Sequence, residues 1–442
     1  MKKILFFTLL MASSSVMYAQ FGILDRAKQS AKNKVNNKID EKINKGIDKT
    51  VDGVDDAASG KTKKPKSNES QPENNEQGNG NSKSSGKASS GSFKSYSKFD
   101  FVPGEKLVAA EDFSQDAVGD FPDKWNTNGS GEIVTTNNAA GKFLMTRKEV
   151  VFYPEWIKNL PDNFTLEFDL MCTEKFSFYS GGILVGFTTV SNIGKNFRNF
   201  GRFGDGRIEN GGGFEIGFHP QNAGGQQGTT SFYSSNNNQE VLKNEADQDL
   251  FSEPNKILVH ISLWRQKGRV RAYMNDKKVW DLPKGVADGL KLNSLYFRND
   301  GATDDNDAYY VGNIRLAVGA PDTRNKLITE GKFVTHGILF DVNSDKIKPE
   351  SYGALKDIAN VLNENADVKV KIIGHTDADG DDKSNLDLSK RRAEAVKNML
   401  SKEFSIDASR METDGKGEAS PIDVNTTLVG KANNRRVEFI KL

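Results

Sequence analysis

A strand-like run at residues 368–374 leads into His375-Thr376-Asp377, and a helix-like run farther on sets two arginines side by side, Arg391 and Arg392. On a helical wheel at about 100° per residue, Leu388, Ala395, Val396 and Met399 cluster on one side, flanked by Ala393 and Leu400. Arg392 falls in the middle of that apolar stripe and Arg391 at its margin. A guanidinium inside an apolar stripe is costly unless it is paired. Arg392 lies near the helix start, within reach of the sheet rim where strands feed into helices. Asp377, just past the strand end, is its expected partner. Two readings compete on these grounds alone. One is a salt bridge that pins helix to sheet. The other is a shallow site for a small zwitterion. There the carboxylate takes an ammonium and the guanidinium takes a carboxylate in fork geometry. Backbone N–H groups at the helix start would add anion affinity.

The elements that must position this pair alternate between strand and helix at 338–340, 349–363, 368–374, 386–402 and 435–440. They predict a compact α/β domain over 329–442. Residues 99–323 are instead dense in strand signals. Phe164-Thr165-Leu166-Glu167-Phe168-Asp169-Leu170 alternates apolar and polar, as does Ile257-Leu258-Val259-His260-Ile261-Ser262-Leu263. Val270, Ala272 and Met274 continue the pattern to a hairpin turn at Asn275-Asp276 before Lys278-Val279-Trp280. This region predicts an antiparallel β-sandwich. One face of its sheet would carry His260, Ser262 and Trp264 next to Arg269, Arg271 and Tyr273. Such a face could stack on a sugar and hydrogen-bond it; the alternative is an outer sheet face with one packed Trp. A glycine-rich loop at 196–213 lacks the Gly-Lys-Ser/Thr ending of a phosphate loop, which leaves a ligand loop or a plain connection.

Other chemistry is thinner. Asp377 to Asp382 fails EF-hand spacing, with Asp382 at position six and Leu388 at position twelve. Asp304-Asp305-Asn306-Asp307 is a better calcium candidate, weighed against a solvated acidic loop. The four histidines, at 219, 260, 336 and 375, have no metal-ligand spacing, and no Gly-x-Ser-x-Gly motif occurs. A glycosidase would need two carboxylates flanking one bond. Glu167 and Glu215 lie on expected strands, but nothing in the sequence brings them together.

Composition sets the compartment. Lys+Arg and Asp+Glu total 61 and 60 in 442 residues, which argues against nucleic acid as a partner. Apolar residues are 36% of the chain, so part of it is expected to build no core. Lys2 and Lys3, an apolar run at 4–16 and the small residue Ala19 predict a secretory signal over 1–19, cut after Ala19. Residues 20–56 predict a helix with apolar residues every four positions, read as a docking helix or a solvated one. Residues 57–98 predict a disordered linker. With Cys172 as the only cysteine, neither a lipid anchor on an N-terminal cysteine nor an internal disulfide is expected. No later run reaches the length of a transmembrane helix.

Two resemblances sharpen these expectations. The 99–323 region resembles concanavalin-like or laminin-G-like jelly rolls. The residues that carry this are Asp112-Phe113-Ser114, Gly119-Asp120-Phe121-Pro122 with Trp125, Phe164 to Asp169, and Tyr273-Met274-Asn275. The C-terminal quarter resembles the OmpA-like peptidoglycan-binding domain of Gram-negative envelopes. Its residues include Ile338-Leu339-Phe340, Val342-Asn343-Ser344, Gly374-His375-Thr376-Asp377, Asn385, Arg392-Ala393, Gly415-Lys416-Gly417-Glu418, Pro421-Ile422, Asn425 and Asn434-Arg435-Arg436-Val437-Glu438. The resemblance implies that Asp377 and Arg392 hold the diaminopimelate of a stem peptide, with Asn343 and Thr376 lining the pocket. It implies a periplasmic, non-enzymatic protein associated with the outer membrane and bound to peptidoglycan, its sandwich facing a glycan or outer-membrane protein. The alternative is a wall- or glycan-active hydrolase localised by this domain. Most such modules ride on a barrel or a lipid anchor, which the sequence does not provide.

Overall fold

In a computed structural model of the chain, the described residues are 99–198, 212–221, 227–252, 256–320 and 322–442. The expected signal at 1–19, helix at 20–56, linker at 57–98 and most of the 196–213 loop lie outside them. Among the described residues no helix is long and apolar enough to cross a membrane.

The alternating run around Phe168 forms strand Asn163–Cys172. It sits inside an eight-stranded antiparallel sheet whose order is Lys277–Leu282, Arg269–Met274, Leu258–Gln266, Asn163–Cys172, Tyr309–Val318, Lys142–Thr146 and Glu132–Thr135. Strand Lys106–Glu111 pairs with the second half of Tyr309–Val318, after a bulge between Gly312 and Arg315. The expected hairpin forms, with Asn275 in the left-handed region at φ 52°. A seven-stranded antiparallel sheet runs Gln239–Gln248, Gly228–Asn236, Gly213–His219, Ile183–Thr188, Ser294–Asn299, Val150–Pro154 and Trp125–Thr127. Period-two alternation turns one row of each sheet inward. The two rows share a core in which Phe168 meets Phe297 edge-on at 5.2 Å and Phe164 meets Phe187 at 4.9 Å. Each such ring stabilises by roughly 1.5–3 kcal/mol through burial.

The C-terminal region is a four-stranded sheet in the order Lys332–Thr335, Val437–Lys441, Val370–His375 and Met411–Gly417. Only the last two strands are parallel. Helices Tyr352–Glu364 and Asp382–Phe404 pack on it through Leu355, Ile358, Leu362, Val396 and Leu400 against Ile372 and Phe439. Residues 338–340 form no strand of this sheet; the strand lies earlier, at Lys332–Thr335, and Phe340 makes a single bridge to Ile347.

The sandwich and the α/β region belong to one compact unit. Phe99 and Phe101 are fully buried and pack edge-on against Tyr273 at 5.4 and 5.5 Å, and Phe101 does the same to Trp264 at 6.1 Å. Tyr352, at the start of a C-terminal helix, closes the cluster. Gly104 N donates to Thr165 Oγ1 at 3.0 Å, and Arg315 Nη2 donates to the His336 carbonyl at 3.3 Å. The proposed sugar face is therefore covered. Trp264 and Tyr273 are 8% and 0% exposed. Arg271 stacks on Trp264 at 4.8 Å, and Tyr273 Oη donates to Asp100 at 2.9 Å. His260 Nδ1 lies 2.7 Å from Asp169, and its Nε2 lies 3.7 Å from Glu167. The alternation that aligned these residues is real, but a preceding segment and a second domain occupy the face they share.

Two predictions follow from this junction. A Cβ at Gly353 would lie 1.9 Å from the Phe101 carbonyl oxygen, so Gly353→Ala must push the C-terminal helix off the 99–103 segment. We expect a loss of about 1–3 kcal/mol and a calorimetric melt split into two transitions; a single transition at the wild-type temperature would contradict the packing. The second concerns His260. Burial alone would lower its pKa, but Asp169 and Glu167 outweigh that and push it from 6.5 up to about 10. A raised folded-state pKa gives stability that is complete below about 6.5 and lost as pH rises through about 10. Melting temperatures between pH 7 and 10.5 should fall more steeply for wild type than for His260→Gln, and parallel slopes would refute the assignment.

Candidate functional site

Sheet register builds the site. Gly374 pairs with Val437 across antiparallel strands, so the chain leaving His375 and the chain entering Val437 meet at one end of the sheet. His375 N donates to the Arg436 carbonyl at 3.0 Å, and Thr376 N to the Gly417 carbonyl at 3.0 Å. This places Asp377 beside Arg435.

The loop carrying Asp377 is held from both sides. Asn385 Nδ2, on the long helix, donates to the carbonyls of Asp377 and Asp379 at 3.3 and 3.1 Å and to Glu418 at 2.6 Å. Lys431 bonds Asp379 at 2.7 Å, and Asn425 Oδ1 accepts from Ala378 N at 3.2 Å. Asn434, fully buried, accepts from Ile422 N and Asp423 N and donates to the Asp423 carbonyl and to Asn425. Asp381 caps the long helix by accepting from Ser384 N at 3.0 Å.

The helix does not bury the stripe that its hydropathy suggests. Its buried positions are Asn385, Ser389, Ala393, Val396 and Leu400, while Leu388 and Ala395 are only half-buried. The cause is close approach. A Cβ at Gly374 would meet the Ser389 carbonyl oxygen at 2.2 Å, and one at Gly415 would meet Lys390 N at 2.4 Å. Helix and sheet touch backbone to backbone there, which admits only small or compact polar side chains. Arg392 moves from the middle of a buried stripe to its edge. Its Nε donates to the Ser344 carbonyl at 3.0 Å and its guanidinium lies 4.8 Å over the Phe340 ring.

The expected Asp377–Arg392 pair is therefore corrected. The Asp377 carboxylate accepts a hydrogen bond from Arg435 Nη1 instead. Arg392 has no salt-bridge partner among the described residues. Burial, and then the Arg435 guanidinium, push its pKa below the ordinary value, with Asp377 acting the other way. Arg391 is exposed and engages Asp387 at 2.8 Å and Asp345 at 3.2 Å. Asn343 is exposed at φ 53°, in the same turn as Ser344. Thr376 is buried, and its Oγ1 has no hydrogen-bond partner among the described residues.

A cavity of about 210 Å³ opens at this end of the sheet. Phe340, His375, Arg392 and Arg435 line it from the α/β side, and Glu111, Asp112 and Arg315 from the sandwich. Asp377, Thr376 and Asn343 are not part of its wall; Asp377 reaches it through Arg435. Its size is below the roughly 300–1,000 Å³ of a drug-sized ligand pocket, which suits one end of an amino acid better than a sugar chain. Sequence reasoning gave no role to Arg435, Phe340, Glu111 or Asp112. The signal for Arg435 was its place two residues before the last strand, which sets it opposite the end of strand Val370–His375 once the two strands pair antiparallel.

The remaining candidates do not assemble. Glu167 and Glu215 are both buried and lie on different sheets, and Glu215 accepts from Tyr296 Oη at 2.5 Å. In the acidic loop, Asp307 accepts from Ser177 N and Ser180 Oγ, and Asp304 accepts from Asn306. Among the described residues no group of three or more His, Cys, Asp or Glu is placed to hold a metal ion.

Residues 339–435 match the OmpA family. A probable lipoprotein YiaD of Escherichia coli strain K12 is 42% identical over 104 residues, which are 24% of this chain and 47% of that protein. Outer membrane porin F of Pseudomonas aeruginosa is 38% identical over 101 residues, 23% of this chain and 29% of that protein. The crystal structure of the peptidoglycan-associated lipoprotein from Burkholderia pseudomallei is 25% identical, covers 27% of this chain and 100% of that chain, and superposes with a TM-score of 0.24. The chain spans less than half the length of the two curated relatives named here. Phe340, Asn343, Asp377, Arg392 and Arg435 all fall within the matched span, and residues 339–435 of this chain are an OmpA family domain.

Proposed function

We propose that this chain is a non-enzymatic cell-envelope protein whose C-terminal domain holds peptidoglycan without a covalent bond. The observation that carries the reading is the Arg392–Arg435 cavity beside Asp377, inside an OmpA family domain. Two guanidiniums, of which only Arg435 is paired with a carboxylate, leave Arg392 with uncompensated positive charge. A ligand carboxylate neutralises it in fork geometry. Arg435 can then release part of its hold on Asp377, which becomes available to an ammonium. A free amino-acid end carries both charged groups on one carbon. Diaminopimelate in a stem peptide has such an end, and it is the ligand that the family resemblance implies. Thr376 and Asn343, which the same resemblance adds to the pocket, follow His375 and Phe340 of the cavity wall in sequence but are not themselves part of that wall.

The sandwich is read as a jelly roll that works alongside this domain, with its glycan or outer-membrane partner still to be identified. Its Trp264–Tyr273 face is not offered as the sugar site, because Phe99, Phe101 and Tyr352 cover it. The export signal expected at 1–19 and relatives named as an outer membrane porin and a lipoprotein support the compartment. We place the protein in the periplasm, associated with the outer membrane.

Co-sedimentation of the full-length protein with purified peptidoglycan sacculi tests the reading. Wild type should pellet. Arg392→Ala and Asp377→Ala, each checked by circular dichroism, should lose about tenfold or more in apparent affinity, the scale of a charge-assisted hydrogen bond. If folded variants pellet as wild type does, these residues do not make the wall site; if wild type stays in the supernatant, the wall-binding reading fails.

A further inference from the structure

The cavity that holds Arg392 and Arg435 is not closed by the OmpA family domain alone. Its opposite wall is the sandwich. Glu111 ends strand Lys106–Glu111 and Asp112 follows it, and both line the cavity with Asn313 and Arg315. The strand register explains how they arrive there. Glu111 pairs with Ile314 and Ala110 with Arg315, just past the bulge in Tyr309–Val318. At that bulge Asn313 adopts φ 51°, a conformation that side chains other than glycine rarely take, and its Nδ2 donates to Asp169 at 2.7 Å. A bulge re-aims a strand end, and here the re-aimed end faces the arginines. The contact is fixed by more than this wall. Asn433 Nδ2 donates to the Leu107 carbonyl at 3.4 Å, and Leu107, Ala317 and Ala432 pack together across the junction.

The two carboxylates are held by backbone N–H groups. Glu111 Oε1 accepts from Phe113 N at 2.9 Å, and Asp112 Oδ1 accepts from Ser114 N at 2.9 Å. Neither has a salt bridge to a described residue. Burial, and then the carboxylates of Asp116 and Asp112, hold Glu111 above the usual carboxylate range, against the pull of the Phe113 N–H. The cavity thus has two carboxylates on the sandwich wall, with Arg315 beside them, facing Arg392, Arg435 and Arg436 across a space sized for one end of an amino acid.

We propose that the sandwich is a working half of the ligand site, with Glu111 and Asp112 joining Asp377 around the ammonium of the same wall-peptide end whose carboxylate docks on Arg392 and Arg435. This rests on the wall-binding reading above and deepens it. It gives the sandwich a part in recognition that needs no separate glycan. It also makes the ligand a clasp across the two regions, since one small zwitterion touches both. A ligand whose amine is blocked loses the sandwich contact and keeps the arginine contact.

The test is calorimetric titration of the full-length protein with free diaminopimelate and with diaminopimelate acetylated on both amines. The variants are Glu111→Gln, Asp112→Asn and Arg392→Ala, each with its melting temperature measured. Both amide substitutions keep an oxygen to accept the Phe113 or Ser114 N–H, so they change charge and leave the turn in place. We expect Glu111→Gln or Asp112→Asn to weaken the free amino acid about tenfold and to leave the acetylated form unchanged, while Arg392→Ala weakens both. If the two amide variants bind the free amino acid as wild type does and Arg392→Ala does not, the sandwich wall is no part of the site and the inference falls, although the wall-binding reading stands. If the amide variants weaken both ligands equally, the loss is not an ammonium contact and the inference also falls. If wild type binds neither ligand, the wall-binding reading fails and takes the inference with it.

Discussion

Arg392 and Arg435 share one cavity with Arg315 and Arg436, and of the first two only Arg435 is paired with a carboxylate. Arg435 holds Asp377; Arg392 rests on the Phe340 ring and a backbone carbonyl, neither of which cancels its charge. Like charges in a partly dry site repel strongly because little water screens them. A fold that keeps two such groups together has to hold each by its backbone. The holding is visible on every side. Asn434 bonds four partners at the helix end before Arg435, Asn385 grips the loop of Asp377, and the glycine contacts at Gly374 and Gly415 draw the Arg392 helix onto the sheet. The surplus charge is then available to a ligand instead of being relaxed away.

The same end of the sheet is where the sandwich docks, and this changes what the sandwich can be. A sheet face with Trp264, Tyr273 and Arg271 looks like a sugar platform only while it is open. Phe99 and Phe101 lie on it, Tyr352 closes it, and His260 is committed to Asp169 and Glu167. That face provides attachment between the two regions. Its neighbouring edge, at Glu111 and Asp112, is the part that meets the cavity. Attachment and recognition are thus adjacent uses of one sheet.

How much of this was legible in the sequence depended on the distance over which the cause acted. Strand alternation around Phe168 and Ile261, the hairpin at Asn275 and the helix after Asp381 rest on local chemistry and could be read directly. Asp377 and Arg392 could also be read, as a charge past a strand end and a charge in a helical stripe. Their pairing could not, because it depends on the register of Val437 against Gly374, which is set by a strand more than sixty residues away. The buried face of the long helix was misplaced because hydropathy ranks Leu388 above Ser389, whereas backbone contact at Gly374 and Gly415 requires the smaller side chain. Strand Met411–Gly417 escaped notice because Met-Glu-Thr-Asp-Gly-Lys-Gly has no apolar alternation; its neighbours hold it by backbone pairing. The covered sheet face was invisible because docking between regions leaves no periodic trace.

The most direct measurement is a spectrum of the arginine side-chain Nε–H resonances in the full-length protein, recorded with and without a soluble peptidoglycan stem peptide that ends in diaminopimelate. The account predicts that the Arg392 and Arg435 resonances, assigned by substitution, move together and saturably, while Arg410, held by the Leu362, Asn365 and Val368 carbonyls and outside the cavity wall, stays in place. Saturable binding that leaves Arg392 and Arg435 unmoved would contradict it, because the ligand would then be held somewhere other than between these two charges.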